Sequence, residues 1–178
     1  MANETGYDIE VTDGRDHRAF LLDAYHYASK HSDDPVTQTG AVLVDSQEGM
    51  IVARGANHLP EGLPHTAAQL MDKAWKYGHM IHAEPSVIFD AARNGVKTEG
   101  TTMYMPWVPC VPCASAMVDA GIVRMIGHKE MIGRTPERWR ESTNEALDVL
   151  SGGGIDLYMV EGTLGGVQNL MDGKVWRP

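Results

Sequence analysis

His82-Ala83-Glu84, followed downstream by Pro109-Cys110-Val111-Pro112-Cys113, is the stretch from which the rest of the chain can be read. Both cysteines of the chain fall in it. A catalytic zinc takes three protein ligands and keeps its fourth position for water. His82, Cys110 and Cys113 supply such a set for one zinc ion per chain with a bound water or hydroxide. Glu84 is then left unligated beside the ion. A carboxylate placed there takes a proton from the zinc-bound water and passes it on.

Two blander readings compete. A Cys-x-x-Cys in a reducing compartment also serves as a redox pair, which leaves His-Ala-Glu without a purpose. A structural zinc site needs a fourth protein ligand, to be drawn from His58, His65, His79 or His128. Retention of Glu84 argues against it, because structural zinc has no need of a proton carrier.

Outward from the motif, residues His82 to Asn94 read as a helix with Ala83, Val87, Ile88 and Ala91 facing inward and Gly95 after its end. Val111 to Ala120 reads as a second helix, so that Cys110 and Cys113 stand at its start with both sulfurs able to meet one centre. A helix N-terminus also favours thiolates. Asp16 to Lys30 carries Phe20, Leu21, Ala24, Tyr27 and Ala28 on one helical face. Ala41 to Val44 and Met50 to Ala53 form a hairpin, and Thr101 to Met105, Ile122 to Ile126 and Ile155 to Val160 read as strands. Further helices are expected over His65 to Tyr77, from a Thr135-Pro136-Glu137 start to Leu150, and briefly around Val167 to Met171. In the long helix Trp139, Thr143, Ala146, Leu147 and Leu150 face the core.

This alternation predicts a layered α/β domain around a mixed sheet of about five strands. Residues 1–15 read as a loose arm and residues 16–178 as a single domain. Gly152-Gly153-Gly154 lacks phosphate-loop spacing and follows a helix, so it reads as a helix end.

The formal charge of −9, from 24 acidic and 15 basic residues, disfavours a long nucleic acid, which asks for a basic surface. A small molecule is the better partner. No apolar run approaches bilayer length, and the first residues lack the features of a secretory signal. The expectation is a cytoplasmic protein with no membrane association.

The metal and its carboxylate suit hydrolytic removal of an amino group from an aromatic ring. Water must become hydroxide, the ring nitrogen must gain a proton, and the amine must leave protonated. Glu84 can carry both protons in turn. The backbone carbonyl of Ala83 is a geometric candidate to accept a hydrogen bond from the substrate amino group.

His-x-Glu followed by Pro-Cys-x-x-Cys is the signature of zinc-dependent nucleobase deaminases. Over about Ser32 to Ile126 the chain resembles the cytidine and deoxycytidylate deaminase superfamily, and within it the deoxycytidylate (dCMP) deaminase branch. The resemblance runs through Asp34-Pro35-Val36-Thr37-Gln38-Thr39-Gly40-Ala41-Val42, Gly55-Ala56-Asn57-His58-Leu59-Pro60-Glu61-Gly62, Lys76-Tyr77, Ala91 to Gly95 and Gly100 to Tyr104. It implies a three-layer α/β/α cytidine-deaminase-like domain, a homo-oligomer, and a role for Asn57 in holding a sugar hydroxyl or base edge. As a plain turn residue Asn57 reads nearly as well.

Departures from the branch gather around the expected substrate pocket. Pro85-Ser86-Val87 follows the first motif, Gln38 replaces a frequent basic residue, and His58 stands where glycine is usual. Met105-Pro106-Trp107-Val108 precedes the second motif, and Gly127-His128 ends a strand where the branch often has Tyr. Trp107 either stacks on a flat ring or fills core beneath the site, and His128 is open in the same way.

The expected activity is therefore zinc-dependent hydrolytic deamination of a free pyrimidine nucleotide such as dCMP. The alternative is an uncharged base, nucleoside or other amino-substituted heterocycle. Deamination of tRNA or single-stranded DNA, or a non-catalytic zinc module, come behind. A phosphate would want a cation, with Arg54, Arg93 and Lys30 as unranked candidates.

Overall fold

A computed structural model describes residues 10–12 and 17–178. The elements in chain order are β1 (Glu10–Thr12), α1 (Arg18–His31), β2 (Gly40–Asp45), β3 (Ile51–Ala56), α2 (Ala67–Met71), α3 (Lys73–His79) and α4 (Ala83–Arg93). They continue with β4 (Thr101–Tyr104), α5 (Val111–Asp119), β5 (Arg124–His128), α6 (Lys129–Ile132), α7 (Glu137–Gly152), β6 (Asp156–Val160), β7 (Asn169–Met171) and β8 (Lys174–Trp176).

The main sheet has six strands in the order β1-β6-β5-β4-β2-β3. β2 runs antiparallel to both β3 and β4, whereas β4, β5, β6 and β1 are parallel to one another. Successive residues of a strand face opposite sides, and the two sides are filled separately here. Val42, Val44, Tyr104, Ile126 and Val160 pack with Leu21 and Ala24 of α1. Ala41, Leu43, Met103 and Met125 pack with Ala83, Val87 and Ala91 of α4, Ala114 and Met117 of α5, and Ala146 and Leu150 of α7. Because helices cover both faces, β4 is buried at every position rather than alternating. The result is the expected three-layer α/β/α domain with a mixed sheet.

Gly55 sets the fit of α4 on β3. A Cβ added there would lie 2.3 Å from the Val87 nitrogen and 2.7 Å from the Ala83 carbonyl oxygen. Only a residue without a side chain lets the helix backbone approach this closely.

Several elements depart from the expectations. Glu10–Thr12, within the stretch read as a loose arm, pairs with β6 as a parallel edge strand and makes the sheet six-stranded rather than five. The other residues of that arm, 1–9 and 13–15, lie outside those described, as does Asp16 at its boundary. The helix expected over His65 to Tyr77 is divided at Asp72, whose carboxylate accepts from the Ala74 and Trp75 amides and so starts a new helix. Thr66 and Gln69 form a capping box at the start of α2. The short helix expected near Val167 to Met171 is instead a two-stranded hairpin, β7 with β8. Its turn residues Asp172 and Gly173 have φ of 50° and 77°, the left-handed pair that an Asp-Gly hairpin turn demands. Thr135 does not cap α7; Pro136 holds that position, and the Thr135 hydroxyl accepts from Trp107 Nε1 at 2.8 Å. Trp139 is half-buried rather than a core residue.

Among the described residues no helix is long and apolar enough to cross a membrane.

Candidate metal centre and substrate cavity

His82 is the N-cap of α4 and Cys110 the N-cap of α5, both in extended backbone conformation. Neither uses its side chain to cap its helix, so imidazole and thiol are left to meet each other between the two helix starts. Pro85 and Pro112 fit beside them because amides of a helix's first turn have no intrahelical partner to lose. His82 Nδ1 lies 3.6 Å from Cys110 Sγ and 3.5 Å from Cys113 Sγ. The three ligand atoms all lie within 4.8 Å of one another.

These separations fit zinc. Tetrahedral bonds of about 2.0 Å to nitrogen and about 2.3 Å to sulfur set N and S ligands about 3.6 Å apart. Among the described residues no fourth His, Cys, Asp or Glu joins the cluster. His58 Nδ1 pairs with the Ala56 carbonyl, His79 stacks on Trp75, His65 is exposed, and His128 is buried against Tyr25. The arrangement is thus of the open, three-ligand kind.

The three side chains share protons across their contacts. A hydrogen bond from Cys113 holds the Cys110 thiol down to about 4, with help from His82. That same bond pushes the Cys113 thiol upward. Pairing with Cys110 raises His82 to about 9, against the effect of its burial. Cys110 is thus biased toward the thiolate that binds metal, whereas His82 and Cys113 each release a proton to join it.

Glu84 lies in the first turn of α4, is 6% exposed, and lines the cavity together with His82 and Cys110. Burial raises its carboxyl above the ordinary carboxylate range, since a charge is poorly solvated there.

The cavity has a volume of about 470 Å³. Its lining includes His82, Glu84 and Cys110 and the aromatic side chains Trp107, Trp139 and Tyr77. Trp139 meets the His82 ring edge-on at 6.0 Å between centroids and the Tyr77 ring at 5.6 Å. Asn57 lines it as well, yet its amide is occupied: Oδ1 accepts from Ser32 Oγ at 2.6 Å and Thr39 N at 2.9 Å, and Nδ2 donates to the Thr37 carbonyl at 2.8 Å. It ties two cavity loops together. Trp107 lines the cavity while its N–H is anchored to Thr135.

Two expected substrate contacts stand elsewhere. Ala83 is fully buried, does not line the cavity, and directs its carbonyl toward Gly55. At a helix start the unpaired backbone groups are amides, not carbonyls, so the assignment to the Ala83 oxygen is corrected. His128 is also fully buried and outside the lining; Tyr25 Oη lies 2.9 Å from its Nδ1 and the Gly162 carbonyl 2.9 Å from its Nε2. Its place is a buried network, not the pocket.

The phosphate candidates are corrected too. Arg54 pairs with Asp23 and Arg93 with Glu61, and neither they nor Lys30 line the cavity. The cations that do are Lys73, Lys76 and Arg138. Arg138 and Trp139 lie in the first turn of α7, and Trp139, expected to face the core, lines the cavity instead; their adjacency at a helix start is the available signal.

Fold and site together define an α/β domain with an open zinc-type triad and a buried, unligated carboxylate beside it. The family model described as the cytidine and deoxycytidylate deaminase zinc-binding region matches residues 15–129, and the chain belongs to that family. It is 36% identical over 106 residues to the deoxycytidylate deaminase of Homo sapiens, covering 56% of this chain and 57% of that protein. A probable deoxycytidylate deaminase of Drosophila melanogaster is 34% identical over 109 residues, covering 56% of this chain and 52% of that one. The chain thus spans about half the length of these relatives. A crystal structure of dCMP deaminase from the cyanophage S-TIM5, in complex with dCMP and dUMP, superposes with a TM-score of 0.61 at 19% identity, covering 81% of this chain and 94% of that one. At that identity the likeness is one of fold.

Proposed function

We propose that the protein is a zinc-dependent aminohydrolase that converts the C–NH₂ of a free pyrimidine nucleotide, dCMP foremost, to C=O with release of ammonia. The observation that carries this reading is buried Glu84, which lines one cavity together with His82 and Cys110 of the open His82–Cys110–Cys113 triad. The named activity of the relatives supports the choice of dCMP. When bound there, zinc lowers the pKa of a coordinated water from ~16 toward ~7.

The chain's own residues supply the rest. Glu84 accepts one proton of the attacking water at its carboxylate and delivers it to the ring nitrogen next to the reacting carbon. It then takes the water's second proton from the oxygen now bonded to that carbon and gives it to the departing amine, so that the C–N bond breaks as the C=O forms. Burial raises the Glu84 carboxyl above the ordinary carboxylate range, which makes it the better proton acceptor. Trp139, Tyr77 and Trp107 offer flat apolar surface for a pyrimidine. Asn57 holds the loops that shape the sugar end, through backbone contacts on both sides of it.

One observation favours a second reading, an uncharged nucleoside, base or other amino-heterocycle. Two of the cavity cations are already neutralised, Lys76 by Asp34 and Arg138 by Asp172. A cytoplasmic homo-oligomer acting on a small molecule completes the proposal; the two free thiols support the compartment and the net charge of −9 the small partner.

The deciding experiment is an ammonia-release screen of zinc-loaded protein against nucleotides, nucleosides, bases and aminated heterocycles. Turnover of dCMP without deoxycytidine supports the first reading, the reverse supports the second, and no release from any compound overturns both.

A further inference from the structure

Arg138 stands in the first turn of α7, beyond the residues matched by the family model, and its guanidinium reaches into the cavity. Its Nε donates to Tyr77 Oη at 3.1 Å and its Nη2 to Asp172 Oδ1 at 2.9 Å. Tyr77 and Asp172 line the same cavity. The contacts lead back to the metal site: Arg138 to Tyr77, Tyr77 to Trp139 at 5.6 Å, and Trp139 to the ligand His82 at 6.0 Å. An aromatic wall thus joins the guanidinium to the triad.

Asp172 is held from behind. It occupies the left-handed turn of the β7–β8 hairpin at φ 50°. Its amide donates to Thr37 Oγ1 at 3.1 Å, and the neighbouring Gly173 amide donates to the Val36 carbonyl at 2.9 Å. The Leu170 amide donates to Gln38 Oε1 at 2.9 Å, and the Gln38 amide donates to the Leu170 carbonyl at 2.8 Å. The hairpin is therefore fixed to the loop after α1, and its turn delivers a carboxylate to Arg138. The Arg138–Asp172 pair itself is only partly covered, with 36% and 51% of the two side chains exposed. Solvent-exposed pairs of this kind are weak, so the arginine is held but not locked. Lys73, a second cation of the lining, has no salt-bridge partner among the described residues.

A planar guanidinium binds carboxylate and phosphate oxygens through the same fork of donors. A phosphomonoester dianion carries more charge than a carboxylate and displaces it from a site open to water. Resting on the proposed nucleotide deamination, we propose that Asp172 is an internal stand-in for the substrate's phosphate, and that a nucleotide selects itself by exchanging with Asp172 on Arg138. Arg138 is then the residue that separates nucleotides from nucleosides, with Lys73 supporting it. The base lies along Trp139 with its amino group toward the triad, and its phosphate points toward Tyr77 and Arg138. An uncharged nucleoside leaves the Arg138–Asp172 pair closed and gains nothing from it.

The test compares wild type, Arg138→Gln, Asp172→Asn and the double variant on dCMP and deoxycytidine. Asparagine tolerates the left-handed turn, so Asp172→Asn removes the charge while keeping the hairpin. Arg138→Gln is expected to raise KM for dCMP by about 10- to 100-fold, the range of a lost charged hydrogen bond, with KM for deoxycytidine unchanged. Asp172→Asn is expected to lower KM for dCMP severalfold, and the double variant to behave as Arg138→Gln. A dCMP KM that Arg138→Gln leaves alone, or equal changes for both substrates, would overturn the exchange while leaving the deaminase reading intact.

Calorimetric titration with the product nucleotide dUMP, and separately with inorganic phosphate, reads the same arm without turnover. If no substrate is deaminated, tighter dUMP binding by Asp172→Asn and weaker binding by Arg138→Gln still support the arm. Equal affinities in all four proteins overturn it. Phosphate binding as tight as dUMP binding would also overturn it, because it would make the arm a site for the free anion.

Discussion

Lys76 Nζ rests 2.8 Å from Asp34 Oδ1, with 5% and 8% of the two side chains exposed. Both residues line the cavity, and Asp34 Oδ1 also accepts from the Val36 and Thr37 amides. Removing one member of a buried pair strands the other's charge, at a cost of about 3–5 kcal/mol. Lys76→Met and Asp34→Asn are each expected to lose about that much stability in urea unfolding. The double variant should lose clearly less than the sum of the two. Additive losses would mean that the two side chains do not sense each other.

Glu84→Gln is expected to keep one zinc per chain and to lose turnover by a factor of about 10²–10⁴ or more. Cys110→Ala and Cys113→Ala are expected to lose the metal itself. Zinc content by atomic emission, set beside ammonia release, separates the two effects. A Glu84→Gln protein with full activity would remove the carboxylate from the mechanism.

Gly55→Ala tests how β3 positions the metal. The new methyl would meet the α4 backbone at the Val87 nitrogen and the Ala83 oxygen, where backbone has little room to yield. The expected loss is about 1–3 kcal/mol in chemical unfolding. Zinc affinity should fall as well, because α4 begins at the ligand His82. Competition against a chromophoric chelator would show it; unchanged affinity would mean that His82 is placed independently of β3.

His128 gives the stability a pH dependence. Burial holds its proton affinity below the ordinary value of about 6.5, against the pull of the Gly162 carbonyl and the Glu130 carboxylate, whose Oε2 lies 2.8 Å from Nε2. The folded protein thus keeps His128 neutral where an unfolded chain would protonate it. The contribution is complete above about 6.5 and is lost as pH falls through the lower folded value. Thermal midpoints between pH 7 and pH 5 should drop more steeply for wild type than for His128→Gln. Parallel slopes would contradict the depressed affinity.

Much of this was legible because it follows local rules. The helix starts at His82 and Cys110, the alternation of the strands and the three-ligand spacing are read from neighbouring residues. The cavity wall is not. Arg138 and Asp172 are far apart in sequence and meet only because α7 and the last hairpin return to the same place. That hairpin had a local signal in Asp172-Gly173, outweighed by the apolar spacing of Val167, Leu170 and Met171. His128 misled because a strand that ends near a site invites a functional reading. Its position one layer in, against Tyr25, depends on packing between β5 and α1. Trp139 faces the cavity because α7 begins beside the His82 ring.

The zinc triad is shared between two helix starts, and the peptide carrying either one alone has too few donors to keep the ion. Metal affinity is therefore a property of the assembled tertiary structure, acquired when α4 and α5 come to rest on the same side of the sheet. Zinc supply and folding become a single equilibrium. Zinc held by the folded arrangement is expected to raise its resistance to unfolding, so chelation should lower the unfolding midpoint.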